Sequence, residues 1–241
     1  MGLLGSGAMA IFYDAGDDTE HNKWHSHEHL MERVGITGFL RGRRYVSITG
    51  SPKHFILYEA LDISVFSAEP YLERLNHPSA DTKRIIPTLR NMNRTLCRVA
   101  ASFGMGVGSQ LLALRLAPIS NHAEKLKHWL VSKALPDLVQ QYGLISVSLM
   151  EGDKVASGAK AVKKNFPRQA VEIADWTIIV DAYDIEAIKE VSGNLLSPAT
   201  LEGHGASGNQ IAGIYHLMHI ASNCDIPIAS QSSKSSCMTD V

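Results

Sequence analysis

At 241 residues, 45% hydrophobic and 20% charged, the chain has the make-up of a globular protein able to bury a sizeable core, not of a disordered or fibrous one. A formal net charge of -1 supplies no bulk attraction for nucleic acid or an anionic membrane, and neither partner is expected. No apolar run approaches the roughly 20 residues of a membrane helix, the first residues lack a basic-then-apolar export pattern, and Cys97, Cys224 and Cys237 show no pairing motif, so a cytoplasmic protein with reduced thiols is expected.

Hydrophobic periodicity predicts a strand over 10–14, a helix from about His21 to Val34, strands over 39–48 and 54–60, a short helix over 69–76 and a strand over 94–102. Gly35 and Gly38 stop the first helix, and Gly50-Ser51-Pro52 makes the turn between the central strands. Beyond Gly104-Met105-Gly106-Val107-Gly108 the order repeats: a strand over 111–116, a helix from about His122 to Tyr142, strands over 145–151 and 176–182, a helix over 185–195 and a strand over 211–218. The glycine-rich stretch lacks the lysine of a phosphate-binding loop and reads as a hinge.

The chain is therefore α+β, with tandem duplicated ferredoxin-like (βαββαβ) units over 8–104 and 109–222 and antiparallel sheets. Trp24 and Gly38 lie fourteen residues apart in the first unit, as Trp129 and Gly143 do in the second. Tyr58-Glu59-Ala60-Leu61-Asp62 likewise sits opposite Val180-Asp181-Ala182-Tyr183-Asp184. Residues 152–175 form an insertion with the basic run Lys160-Ala161-Val162-Lys163-Lys164 and are expected to be an exposed loop; the Ser-rich tail, 223–241, is expected to be disordered.

Chemistry concentrates in the first unit. Glu28 and His29 fall opposite Lys133 and Ala134, and Arg41 and Arg43 opposite Ser146 and Ser148, so one half reads as active and the other as structural. On a helix His21, His25 and His29 share a face while His27 points away. Two of them could chelate a metal only with a third ligand such as His54, His216 or His219, so no metal is expected, His21 and His27 read as surface residues, and His25 is at most an accessory ligand. His29, beside Glu28 and on the face of Arg33, is the candidate acid/base. In strand 39–48, Arg44 shares its face with apolar neighbours and reads as the partner of a buried carboxylate or of an anionic ligand, whereas Arg41 and Arg43 are expected to meet solvent or a second subunit. Tyr58 is placed to offer its hydroxyl beside Arg44, Trp24 to pack or to present a flat surface, and Cys97 to be a buried structural thiol.

The segments Gly7-Ala8-Met9-Ala10-Ile11, Trp24-His25, Glu28-His29, Glu32-Arg33, Gly38 to Tyr45, Leu57-Tyr58-Glu59 and Tyr71 to Asn76 resemble a bacterial family of the dimeric α+β barrel superfamily, related to the ethyl tert-butyl ether degradation protein and antibiotic-biosynthesis monooxygenase groups. The resemblance covers residues 7–108 well and the second half loosely. It implies that the two units close into an intrachain α+β barrel, that a cavity between helices and sheet holds a small, often aromatic or lactone molecule, and that many relatives work without a cofactor. The family's Glu-His pair falls on Glu28-His29, whereas Pro78-Ser79-Ala80-Asp81-Thr82 lacks the tryptophan that the family often carries there.

Together these readings lead to a cofactor-independent lyase or isomerase acting on a small catabolic intermediate. His29, Arg44, Tyr58 and Glu28 are its candidate catalytic residues, Trp24, His25 and Arg33 its candidate substrate-binding residues, and a homodimer is expected from the arginine-bearing sheet face. The alternatives are a metal- or haem-dependent enzyme using the histidine cluster, and a non-catalytic small-molecule-binding or accessory protein.

Overall fold

A computed structural model describes residues 2–158 and 172–226. The basic run 160–164, Cys237 and most of the Ser-rich tail lie outside the described residues. In chain order the first unit comprises β1 (Gly7–Asp14), α1 (Asp18–Trp24), a π-helical turn (His25–His29), α2 (Leu30–Val34), β2 (Phe39–Thr49), β3 (His54–Ala60), α3 (Glu69–Asn76), α4 (Ala80–Ile85) and β4 (Arg90–Gly104). The second comprises β5 (Gln110–Leu116), α5 (Ala123–Trp129), a π-helical turn (Leu130–Ala134), α6 (Leu135–Leu138), β6 (Leu144–Gly152), α7 (Lys154–Ser157), β7 (Trp176–Ala182), α8 (Ile185–Gly193), α9 (Pro198–Gly203) and β8 (Ile211–Ser222). The short α4, α7 and α9 are absent from the periodicity reading, because four to six residues span too few turns to show a face.

The eight strands close into an antiparallel barrel in the order β1-β3-β2-β8-β5-β7-β6-β4. Strand alternation then divides the core into three. Ala8, Ala10, Phe12, Tyr45, Phe55, Leu57, Cys97, Leu111, Ala113, Met150, Ile179 and Tyr215 fill the barrel. One outer layer packs the first unit's helices on Met9, Ile56, Tyr58 and Leu96, and the other packs the second unit's helices on Leu112, Leu114, Ile178 and Val180. Cys97 is buried as expected, and burial pushes its thiol up to about 12.

Both π turns fall at the same place in their units, and each helix ends before a glycine in the left-handed region, Gly38 at φ 94° and Gly143 at φ 89°. A side chain is disfavoured at such a φ, so both glycines are backbone requirements.

The arginines on the other face of β2 correct the sequence reading. Arg43 points into the barrel and is fully buried, its Nε 3.0 Å from Glu59 and its Nη1 donating to both oxygens of Asp181 at 3.1 and 3.0 Å. Arg41 pairs with the same Glu59 through Nε at 2.8 Å and Nη2 at 2.9 Å. Alternation put both on one face correctly, but closure of the barrel makes that face the interior. They meet carboxylates there and not a second subunit, so the argument for a homodimer from this face falls away.

Candidate active site

The first unit's outer layer holds a cavity of about 340 Å³ between β1, β3 and β4 on one side and the α1–π–α2 segment with α3 and α4 on the other. Its walls include Met9, Ile11, Ile56, Leu89 and Met92, with Trp24, Tyr13, Tyr58 and Tyr71 as the aromatic members. His25, His29, Arg33 and Arg94 bring polar groups to this apolar surround, and Arg74 and Lys83 stand at the solvent-exposed side.

The helix that carries the histidines begins at Asp17, whose carboxylate caps the backbone N–H groups of Thr19 and Glu20. His21, His25 and His29 follow on one face, with ring centroids 5.6 and 5.5 Å apart across successive pairs. The extra residue of the π turn keeps a four-residue repeat turned toward the sheet, a local irregularity common at functional sites. His25 Nε2 lies 3.4 Å from the Tyr58 hydroxyl, and the His29 ring packs at a tilt against Trp24 with centroids 4.4 Å apart. Burial, and then the positive charge of neighbouring His and Arg side chains, holds the His25 and His29 imidazoles well below their ordinary pKa, so both are neutral near pH 7. Burial likewise keeps the Tyr58 hydroxyl protonated by raising its pKa.

The carboxylate nearest His29 is Glu32, 3.8 Å from Nδ1, and Glu32 also lies 3.6 Å from Arg33 Nη1. Glu28 turns the other way. It accepts hydrogen bonds from the hydroxyls of Ser79 and, at 3.5 Å, Thr82, tying the π turn to α4, and it does not line the cavity. Adjacent helical positions diverge by about 100°, so a residue beside His29 cannot share its direction, whereas one three positions on can.

Arg44 is on the helix-facing side of β2, as alternation requires, but its Nη1 donates to Asn22 Oδ1 at 2.6 Å and it does not line the cavity. Neither Glu28 nor Arg44 is therefore placed to touch a molecule bound there. His21 is buried, not on the surface: its Nε2 meets the Tyr13 hydroxyl at 2.7 Å and its ring packs 4.3 Å from that of His54. His27 is exposed.

Tyr13, Tyr71, Thr82 and Arg94 line the cavity without having been singled out from sequence. Arg94 carried a usable signal, since it shares a strand face with Leu96 and Met92, the same pattern that drew attention to Arg44. The third ring nitrogens needed for a metal do not converge. His21 Nε2 faces Tyr13, His25 Nε2 faces Tyr58 and His54 Nε2 faces Asp18, and among the described residues no group of three or more His, Cys, Asp or Glu side chains is placed to hold a metal ion.

The second unit holds an apolar counterpart of the site. By helix position and strand register, His21, His25, His29 and Arg33 correspond to Leu126, Leu130, Ala134 and Leu138, all fully buried in the apolar core. Tyr13, Tyr58 and Arg94 correspond to Leu116, Val180 and Ala212.

The sequence matches no family model and no curated protein. Solved structures do match. A proposed monooxygenase from Fusobacterium nucleatum subsp. nucleatum ATCC 25586 superposes with a TM-score of 0.61 at 9% identity, covering 91% of this chain and 96% of its own. An anthrone oxidase-like protein gives 0.59 at 11% identity, over 90% and 92%. A proposed monooxygenase from Lactobacillus acidophilus NCFM gives 0.57 at 8% identity, over 90% and 97%. At such identities the likeness is one of fold, and it agrees with the strand order and duplicated units described above. The chain has a ferredoxin-like α+β barrel fold, shared with these three structures, with both halves of the barrel in one polypeptide.

Proposed function

We propose that the protein is an enzyme that moves a proton on a small organic molecule held in the first unit's cavity, with His29 as the base, in an isomerase- or lyase-type reaction that needs no cofactor. The observation that carries this reading is a neutral imidazole at the wall of an apolar cavity, with a carboxylate 3.8 Å behind it, where the matching position of the second unit holds only the buried Ala134. An imidazole kept unprotonated by burial is in the form that accepts a proton near pH 7; burial also weakens it as a base, so the imidazolium it becomes needs a counter-charge and returns its proton readily. Glu32, and not Glu28, would stabilise the imidazolium as it forms. Tyr58, protonated and 3.4 Å from His25, would donate a hydrogen bond to the oxygen on which charge develops.

The neighbours described as monooxygenases and as anthrone oxidase-like support a small-molecule enzyme, and they favour a second reading in which the carbanion formed by the same proton abstraction reacts with dissolved oxygen. The experiment separates the two. Phenols, enones and lactones are incubated with the protein in D2O, with C–H exchange and isomerisation followed by NMR and oxygen uptake by electrode. Turnover without oxygen uptake is expected, and His29→Ala should slow it by about 100-fold or more. Turnover unchanged in His29→Ala would end the assignment, and oxygen uptake in proportion to turnover would replace isomerisation by oxidation.

A further inference from the structure

The cavity lining contains four cationic side chains, Arg33, Arg74, Lys83 and Arg94, and no Asp or Glu. Arg74 and Lys83 are solvent-exposed, where charge costs little. Arg33 and Arg94 are only 4% and 3% exposed, and in each the Nη1 group has no hydrogen-bond partner. Arg33 has Glu32 at 3.6 Å as a counter-ion, but among the described residues no carboxylate oxygen lies within 4.0 Å of Arg94. A buried guanidinium without a carboxylate is costly to desolvate unless something anionic joins it.

Tyr71 stands between the two arginines. Its hydroxyl accepts a hydrogen bond from Arg94 Nη2 at 3.1 Å, and its ring lies 5.8 Å from the Arg33 guanidinium carbon. Its own proton is directed at the sulfur of Met9 at 3.7 Å, a weak acceptor that a carboxylate oxygen would displace. The rest of the wall is apolar and aromatic, and the volume of about 340 Å³ is a little over twice the ~150 Å³ of an engineered cavity that holds benzene.

We propose that the cavity binds an aromatic carboxylate of about two fused rings, its carboxylate held by Arg94, Tyr71 and Arg33 and its rings by Trp24, Ile56 and Met92. Planar guanidinium groups with free N–H donors match a carboxylate's paired oxygens, and a charge-assisted bond formed out of water is among the stronger single contacts a small ligand makes. The proposal names the substrate class for the catalytic reading above and rests on it for what happens after binding, although the binding itself is measured separately.

The test is isothermal titration of the full-length protein at pH 7.5 with 2-naphthoate and with 2-naphthol, which share a ring system and differ in charge. Naphthoate should bind on the order of tenfold more tightly or better. In Arg94→Met that preference should disappear while naphthol affinity stays within about twofold, and Arg94→Lys should keep part of it. Should Arg94→Met fail to fold, the wild-type comparison with Arg94→Lys still decides. Equal affinity for the two ligands, or an equal loss for both in Arg94→Met, overturns the proposal. Because calorimetry reads no turnover, an Arg94-dependent preference upholds the carboxylate site even if His29→Ala leaves chemistry unchanged, and its absence ends the carboxylate site even if His29 proves catalytic.

Discussion

The three histidines on one helix face are the residues that most separate this unit from its apolar twin, and their burial makes them answerable to pH. Burial lowers the pKa of His21 to about 3 and takes those of His25 and His29 well below the ordinary value of about 6.5. As the pH falls below about 6.5 the unfolded chain binds protons at these positions and the folded chain does not, so folding stability falls with pH, by up to about 1.4 kcal/mol per pH unit for each histidine. The carboxylates whose pKa is lowered, Asp18 and Asp153 among them, act only below about pH 4, which leaves the window from 6.5 to 5 to the histidines. His21→Leu installs the residue type found at the matching position of the second unit, Leu126. Urea midpoints across that window should therefore lose about one proton's worth of slope in His21→Leu. An unchanged slope would mean that His21 is not held neutral by the fold. From sequence the helical spacing of these residues was readable, but their burial was not, because a histidine on an otherwise polar helix start looks the same whether the sheet beneath it offers a tyrosine or water.

At the scale of elements, the cavity depends on how α4 is held over α1. Trp24 Nε1 donates to Thr82 Oγ1 at 3.1 Å with both side chains buried, and Glu28 accepts from Ser79, which also caps α4 by accepting from the Thr82 N–H at 3.0 Å. Pro78-Ser79-Ala80-Asp81-Thr82, read in sequence as a departure from a family motif, is thus a helix start whose two hydroxyls reach back to the histidine helix. Thr82→Val keeps the volume and removes the acceptor, leaving a buried indole N–H unpaired, and should cost about 1–3 kcal/mol by urea denaturation. The same change should weaken 2-naphthoate binding, since Thr82 and Lys83 both line the cavity. Stability equal to wild type would show that the indole finds another partner. Elements of two turns or a full strand were legible from their periods: β3, α3 and β7 run over the predicted residues. The π turns were not, since one inserted residue leaves the hydrophobic pattern almost unchanged while redirecting the side chains that follow.

For the whole molecule, duplication was readable from a tryptophan and a glycine fourteen residues apart and closure into one barrel from the family resemblance, yet the partners of Arg41 and Arg43 were misread, because strand alternation says which residues share a face and not which way that face turns. Inside the barrel Glu59 of the first unit and Asp181 of the second occupy matching positions and meet on Arg43. Removing Arg43 does not orphan both equally. Glu59 keeps Arg41, whereas among the described residues Asp181 retains only the Ser146 hydroxyl at 3.3 Å and the Gly108 N–H at 3.4 Å. Arg43→Met should therefore destabilise the protein by about 3–5 kcal/mol, the scale of breaking a buried ion pair from one side, and Arg43→Met with Asp181→Asn should recover most of that loss. Asp181→Asn alone should cost less than Arg43→Met, because Arg43 would still hold Glu59 at 3.0 Å. A double variant no more stable than Arg43→Met would show that the stranded carboxylate is not the source of the loss. Arg43 lies on the opposite face of the sheet from the cavity, so 2-naphthoate affinity measured well below each variant's melting temperature should stay at the wild-type value. A matching fall in affinity would instead make the barrel interior part of what shapes the site.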